Sequence, residues 1–313
     1  EFKVAPGADP ALIRMRFEGQ DDLVVRDGAL VVSTSAGQVT EAAPVSFSWN
    51  PNVLPSYDPF HNVPSHYVLD RNTVRFAVEP QRDRILLIDP SLTFGSYTGS
   101  IADNFGFTAT YDGDGALYGG GIVFGNDYPT TIGVLDGSFN GSNIDIGVSK
   151  WSPDGTALEW STYLGGSNNE TPNSLVVNSA NELYVLAVTG SSDFPVTPGS
   201  ADGSFNGGTT IPLAGGFVNL AGGEGYGFDF GTDIAIAHLS ADATVLLGGT
   251  FVGGSGNDGL NQGADLVHNY GDHFRGEIAL DAQERVLVAS STQSTDAPTT
   301  SAAVQSSYGG GDL

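Results

Sequence analysis

Asp136-Gly-Ser-Phe139-Asn-Gly141 recurs 66 residues later as Asp202-Gly-Ser-Phe205-Asn-Gly207. The same offset carries Asp127-Tyr-Pro129 onto Asp193-Phe-Pro195, Ala116-Leu-Tyr118 onto Glu182-Leu-Tyr184, and Ser96-Tyr97-Thr-Gly99 onto Thr162-Tyr163-Leu-Gly165. Four landmarks at one spacing define a tandem repeat. A third copy follows with two enlargements. Thr162-Tyr-Leu-Gly-Gly166 returns 88 residues on as Thr250-Phe-Val-Gly-Gly254, and Asp145-Ile146 as Asp233-Ile234, which puts 22 extra residues between Phe205 and Asp233. Asp193-Phe-Pro195 returns 103 residues on as Asp296-Ala-Pro298, which puts 15 more between Phe251 and Leu287.

Each unit reads as four short strands. In the first they fall at Phe107–Tyr111, Leu117–Phe124, Ile144–Trp151 and Ala157–Leu164. Asp112-Gly-Asp-Gly115 and Ser152-Pro-Asp-Gly155 supply tight turns, because glycine accepts a positive φ. No stretch keeps a 3.6-residue apolar period over helix length. The chain has 44 glycines in 313 residues with no three-residue period, which fits many turns and not collagen. The expected fold is all-β, and four antiparallel strands per unit is the pattern of a β-propeller blade. Propellers close with about four to eight blades, so three units amount to a partial propeller.

Ahead of the repeat, Leu23-Val-Val-Arg-Asp-Gly-Ala-Leu-Val-Val32 reads as a hairpin turning on Asp27-Gly28. Val74–Val78 and Ile85–Ile88 are further strands. Residues 1–92 are expected to form a small β-sandwich-like domain, and residues 93–313 the blades.

Asp and Glu number 36 against 11 Lys and Arg, a net charge of −25, and the lysines are Lys3 and Lys150. Such a surface repels phosphate backbones and anionic lipid, so nucleic acid is not an expected partner. It would attract Ca²⁺, although solubility or a salty medium is the favoured account of it. With no Cys there are no disulfides. No apolar run reaches the length of a spanning helix, so membrane insertion is not expected. The sequence opens at Glu1 with no signal peptide, as an excerpt of a longer protein would.

Trp160-Ser-Thr-Tyr-Leu-Gly-Gly166, Asp145-Ile-Gly-Val-Ser-Lys-Trp-Ser-Pro-Asp-Gly155, Asn181-Glu-Leu-Tyr184 and Asp193-Phe-Pro-Val-Thr197 together resemble the bacterial β-propeller repeats called SBBP. The match is good over residues 96–207 and weaker around the enlargements. Ser240-Ala-Asp-Ala243 lacks the turn glycine and Asp281-Ala-Gln-Glu284 stands where Asp-Gly-Asn is usual, so those two hairpins are expected to be looser or differently typed. Phe2-Lys-Val-Ala-Pro-Gly-Ala-Asp-Pro10, Ile13-Arg-Met-Arg-Phe-Glu-Gly19 and Leu86-Leu-Ile-Asp-Pro90 are similar to the domain often found ahead of such repeats. The resemblance implies a large exported protein of Bacteroidota type, at the cell surface or outside it, using type IX secretion. It implies no catalytic motif.

Gly253-Gly-Ser-Gly-Asn-Asp258 fits a calcium nonapeptide, but only one copy is present and that mode needs stacked copies. Asp112 and Asp114 on a hairpin tip have the chemistry of a cation site, although a two-carboxylate hairpin is far more often a plain turn. Asp265, His268, Asp272 and His273 in the second enlargement offer oxygen and imidazole ligands for a transition metal. His238 stands where the first unit has Lys150, which favours a packing role. Phe217, Tyr226, Phe228 and Phe230 in the Gly-rich first enlargement are suited to stacking on sugar rings or docking a protein. No nucleophile elbow, zincin helix or phosphate loop occurs, and no carboxylate pair stands out. The expected function is a non-enzymatic extracellular module for adhesion, display or assembly, with no cofactor. Its partner is a protein or glycan on a surface, or other modules of the same protein. A polysaccharide-binding or polysaccharide-degrading propeller and a structural spacer are the alternatives.

Overall fold

The computed structural model describes residues 2–35, 37–53, 60–90, 96–211, 227–261 and 273–310. The chain forms two compact units, Glu1–Gly95 and Ser96–Leu313. Both are all-β, built of small antiparallel sheets, none of them closed.

Among the described residues the first unit has ten strands: β1 (Phe2–Val4), β2 (Arg14–Arg16), β3 (Asp22–Arg26), β4 (Ala29–Thr34), β5 (Gly37–Glu41), β6 (Pro44–Trp49), β7 (His61–Val63), β8 (Ser65–Asp70), β9 (Thr73–Val78) and β10 (Ile85–Pro90). They pair as three sheets, β1-β10-β6-β7, β2-β9-β8 and β3-β4-β5. One core cluster takes residues from all three, among them Leu30, Val74, Leu86 and Ile88. Asp27 and Gly28 both have positive φ, +51° and +85°. Two left-handed residues in a two-residue loop match the strand twist, and the Asp-Gly pair accepts them.

The second unit has β11 (Asn104–Tyr111), β12 (Leu117–Val123), β13 (Asp145–Trp151), β14 (Leu158–Leu164), β15 (Glu170–Val177), β16 (Leu183–Thr189), β17 (Asp233–Leu239), β18 (Leu246–Val252), β19 (Gly276–Leu280) and β20 (Val286–Ser290). The first eight make two four-stranded meanders, β11-β12-β13-β14 and β15-β16-β17-β18, and the last two a hairpin. The repeat extends to irregularities. The β11 ladder skips Phe107 between Gly106 and Thr108, and the β15 ladder skips Asn173 between Pro172 and Ser174. Pro172 thus lies beside the bulge, where a missing amide costs least. The bulge is also why β11 starts at Asn104 and not at the expected Phe107.

The two turns without glycine keep the repeat's geometry. Ala243 (φ +53°) stands where the first unit has Gly155 (φ +68°), and Glu284 (φ +58°) where it has Gly115 (φ +87°). They are not loosened; each holds a left-handed L-residue at a cost of about 1 kcal/mol.

The sheets stack face to face. Tyr118, Ile146 and Val148 of the first meander bury against Leu183, Val185 and Ala237 of the second. The opposite face of the second, with Tyr184, Leu186 and Ile234, packs on Ile278 of β19. Glycine is required where backbones come close. A β-carbon at Gly121 would collide with the Phe105 carbonyl oxygen across the β11–β12 ladder, whereas one at Gly113 meets nothing within 4 Å. Gly121→Ala is therefore expected to cost about 1–3 kcal/mol and Gly113→Ala close to nothing, as read from urea denaturation of the two variants.

Candidate functional site

Both enlargements of the repeat leave from one end of the stack. The first joins β16 to β17 and the second joins β18 to β19, and in an antiparallel meander β16 and β18 finish at the same end. The bases of both insertions then meet. Ile211 and Phe228 from the first, and Leu260 and Phe274 from the second, share one buried cluster with Ile122, Ile144 and Val188. Ile211 and Phe228 exchange both backbone hydrogen bonds at 2.8 Å, and the Asn169 side-chain amide donates to the Gly227 carbonyl at 2.6 Å. The described ends of both insertions are therefore fixed in one root.

That root corrects one expectation. Phe228 is 1% exposed, so its ring fills the cluster and is not offered to a ligand. Phe230, two residues on, is 63% exposed. Phe217 and Tyr226 lie outside the described residues.

The carboxylates suggested for metals are engaged elsewhere. Asp112 is buried. It accepts the amides of Asp114 and Ala116 at 3.1 and 2.9 Å and the Tyr118 hydroxyl at 3.1 Å. The Lys150 ammonium stands 3.2 Å from it, 3.1 Å from Glu159 and 5.1 Å above the Tyr118 ring. Burial alone would raise the Asp112 carboxyl, but the Ala116 amide and the facing Lys150 and Tyr118 hold it below the usual range. Asp114 accepts from the Asn181 side chain at 3.3 Å. His238 replaces Lys150 by stacking on Tyr184, centroids 3.9 Å apart, with Nε2 2.9 Å from Glu182. His273 Nδ1 lies 3.1 Å from the Asn261 carbonyl oxygen, while Asp265, His268 and Asp272 lie outside the described residues. Among the described residues no three His, Asp or Glu side chains gather as a metal would require.

The same end of the stack carries two buried carboxyl pairs that reading the sequence did not single out. At the first junction Asp145 opens β13 and Glu170 opens β15, both fully buried. Asp145 accepts the amides of Asn140 and Ile146 at 3.2 and 2.8 Å, and Glu170 Oε1 accepts the Thr189 hydroxyl at 2.7 Å. Ser191 and the Gly166 amide face the Glu170 carboxyl, yet Oε2 has no hydrogen-bond partner. A β-carbon at Gly165 would collide with Asp145 Oδ1 and lie 2.7 Å from Glu170 Oε2, so this turn glycine is what lets the two carboxyls meet. The second junction repeats the plan with Asp233 and Asp258. Asp233 accepts the Asn206 and Gly207 amides at 2.6 and 3.2 Å. Asp258 accepts the Gly254 amide and the Ser294 hydroxyl, both at 2.8 Å, and the Thr292 hydroxyl. Asp258 is thus a latch between sheets, which accounts for the residue that suggested calcium. The recurrence of Asp145 as Asp233, and of Thr189 and Ser191 as Thr292 and Ser294, was the signal in the sequence.

Burial first, and then the facing Glu170, push Asp145 up to about 8. Burial likewise pushes Glu170 up to about 7, against the donors around it and with the charge of Asp193. Asp233 rises to about 6 by burial, with Asp258 adding to it. No cation lies within ion-pairing distance of these groups among the described residues, so a proton neutralises what burial disfavours.

A family model described as a domain of unknown function (DUF7948) matches residues 1–91. No curated protein matches the chain.

Two outcomes follow from this geometry. Removing the ammonium in Lys150→Gln leaves Asp112 buried without its cation. We expect a loss of about 3 kcal/mol, against less than about 1 kcal/mol for Glu159→Gln at the exposed partner, by chemical denaturation. The raised carboxyls make folding take up protons, so their stabilisation is complete below about pH 4 and is lost progressively as pH rises from there, the last of it between 6 and 8. Unfolding free energy is expected to be on the order of 3 kcal/mol lower at high than at low pH across this window. Glu170→Gln should flatten the slope; an unchanged slope would assign it to other groups.

Proposed function

We propose that the second unit is a run of β-propeller blades of the SBBP kind and acts as a rigid, non-enzymatic platform outside the cell. In this reading the two inserted loops meet the partner, and the stacked sheets hold them still. One observation carries it: both insertions are rooted in a single apolar cluster at one end of two stacked meanders. Binding groups on loops above a rigid scaffold are the common arrangement of recognition surfaces. The buried carboxyls face each other and backbone amides, a structural use of acidic side chains. We assign the protein to adhesion, display or assembly on that basis, with a surface protein or glycan as partner and no part for nucleic acid, given the net charge of −25.

The exposed Phe230 ring at the foot of the first insertion favours a glycan among these partners, because a flat aromatic face stacks on a sugar ring. Residues 212–226 can be deleted and Phe230→Ala made separately, each checked for unchanged far-ultraviolet circular dichroism. On a glycan array we expect binding by the parent chain, loss on deletion, and a decrease of about tenfold for Phe230→Ala, or roughly 1.4 kcal/mol. Silence on the array with cell attachment that the deletion abolishes would move the partner to a protein. Attachment that survives the deletion would overturn the loop as the contact.

A further inference from the structure

One sheet of the first unit runs against the charge of the chain. Asp and Glu outnumber Lys and Arg by 36 to 11, yet eight of those eleven cations lie in residues 1–95. Three of them share a face of β2-β9-β8. The inward positions of this sheet, Met15, Val74, Phe76 and Tyr67, pack in the core. Side chains alternate across a strand, so Arg14, Arg16 and Arg75 stand on the opposite face. Arg14 is directly opposite Arg75 in the ladder. Asp70, on β8, is the one carboxylate that these three strands place on that face, and β9 separates it from β2. Arg16 reaches Glu18 at 2.6 Å, with both side chains well exposed. Among the described residues the side chains of Arg14 and Arg75 make neither an ion pair nor a hydrogen bond.

The backbone beside them is open. β2 is an edge of its sheet, and among the described strands it pairs with β9 alone. Phe17 donates its amide to the Asn72 carbonyl at 2.9 Å. Hydrogen-bonded and non-hydrogen-bonded pairs alternate along an antiparallel ladder. With Met15 opposite Val74 and Arg16 opposite Thr73, the amides and carbonyls of Arg14 and Arg16 therefore point away from β9. Arg14 and Arg75 form a pair of the closer, non-hydrogen-bonded kind, in which like charges are destabilising.

Charge on an edge strand has a general use, since it keeps other chains from pairing there. That accounts for Arg14 and Arg16. It does not account for Arg75, which lies on the central strand and adds repulsion within the sheet. A carboxylate brought over Arg14 and Arg75 relieves this repulsion, and a planar guanidinium takes a carboxylate through two parallel hydrogen bonds. Carboxylates two residues apart on an extended chain lie about 7 Å from one another, which is also the spacing of Arg14 and Arg16 along β2.

We propose that the open edge of β2 binds an acidic peptide segment of another protein. The segment adds to β2-β9-β8 as a fourth strand, with carboxylates opposite Arg14 and Arg16 and an apolar residue opposite Met15. Main-chain hydrogen bonds supply the affinity and the alternating acidic pattern the specificity. The contact with a three-residue strand is short, so binding is weak and sensitive to salt. The inference goes beyond the platform reading, because it concerns the first unit and uses nothing of the inserted loops.

Fluorescence anisotropy on the full 313-residue chain tests it, with a labelled peptide of alternating glutamate and valine as the probe. Binding is expected, and raised salt is expected to weaken it. Arg14→Glu and Arg75→Glu should each weaken it by about tenfold, with Arg75→Gln moving in the same direction and circular dichroism unchanged. Arg26→Glu, an exposed arginine of β3 in the same unit, should leave it unaltered. N-methylation of the glutamates keeps every charge and removes the amides that pair with β2, so it should abolish binding. A parent chain that does not bind the peptide overturns the proposal. So does an equal loss on Arg26→Glu, which would reduce the effect to net charge. An N-methylated peptide or a polygalacturonate that binds as tightly as the probe overturns strand addition and leaves only attraction to a polyanion.

Discussion

The carboxyl junctions set the geometry on which the second unit depends. Apolar faces can slide over one another, because burial of area has no direction. The junctions do have direction. Asp258, at the head of the connection into the third unit, accepts the amide of its own Gly-Gly turn and two hydroxyls that follow β20, Thr292 and Ser294. Asp233 gathers amides from the loop that precedes β17. Sheet, turn and following sheet are thereby tied at one end, and the apolar faces come into the register that fills the core. The glycine of each turn follows from this arrangement, since at Gly253 a β-carbon would sit 2.7 Å from Asp258 and 2.8 Å from Asp233.

The two junctions differ by one methylene, and that difference isolates the physics. Where the second has Asp258, with both oxygens satisfied by donors, the first has Glu170. Its longer side chain leaves Oε2 without a donor at zero exposure. A buried carboxylate is costly to keep charged, and burial is the largest cause that raises the Glu170 carboxyl. Burial thus lifts the carboxyl that opens β15 to about 7, so at neutral pH it is shared between its protonated and ionised forms, in a chain that carries 36 Asp and Glu.

Much of this fold was legible in the sequence. Asp-Gly and Pro-Asp-Gly turns gave the hairpins, and alternation gave strands whose ends fall within about three residues of the observed ones. What could not be read was direction and burial. Phe228 and Phe230 look alike in a Gly-rich insertion, and only the pairing of Phe228 with Ile211 turns one ring inwards. Asp112 and Asp114 read as a two-carboxylate tip because nothing local places Lys150, two strands away in the sheet, over one of them. The Ala243 and Glu284 turns were misjudged for the opposite reason: the rest of the hairpin imposes a left-handed residue strongly enough to override the side chain's preference.

The enlargements fall where they leave this framework untouched. Twenty-two residues enter between Phe205 and Asp233, yet Leu183 still pairs with Leu239 as Leu117 does with Trp151. The chain is paired again by Ile211 and Phe228 before it reaches β17. Closing a longer loop costs little, because the entropy grows only with the logarithm of its length. A change of sequence inside the stack must satisfy facing side chains, a carboxyl pair and a turn without a β-carbon all at once. Stability is thus assigned to strand faces and carboxyl junctions, and the enlargements of the repeat fall outside both.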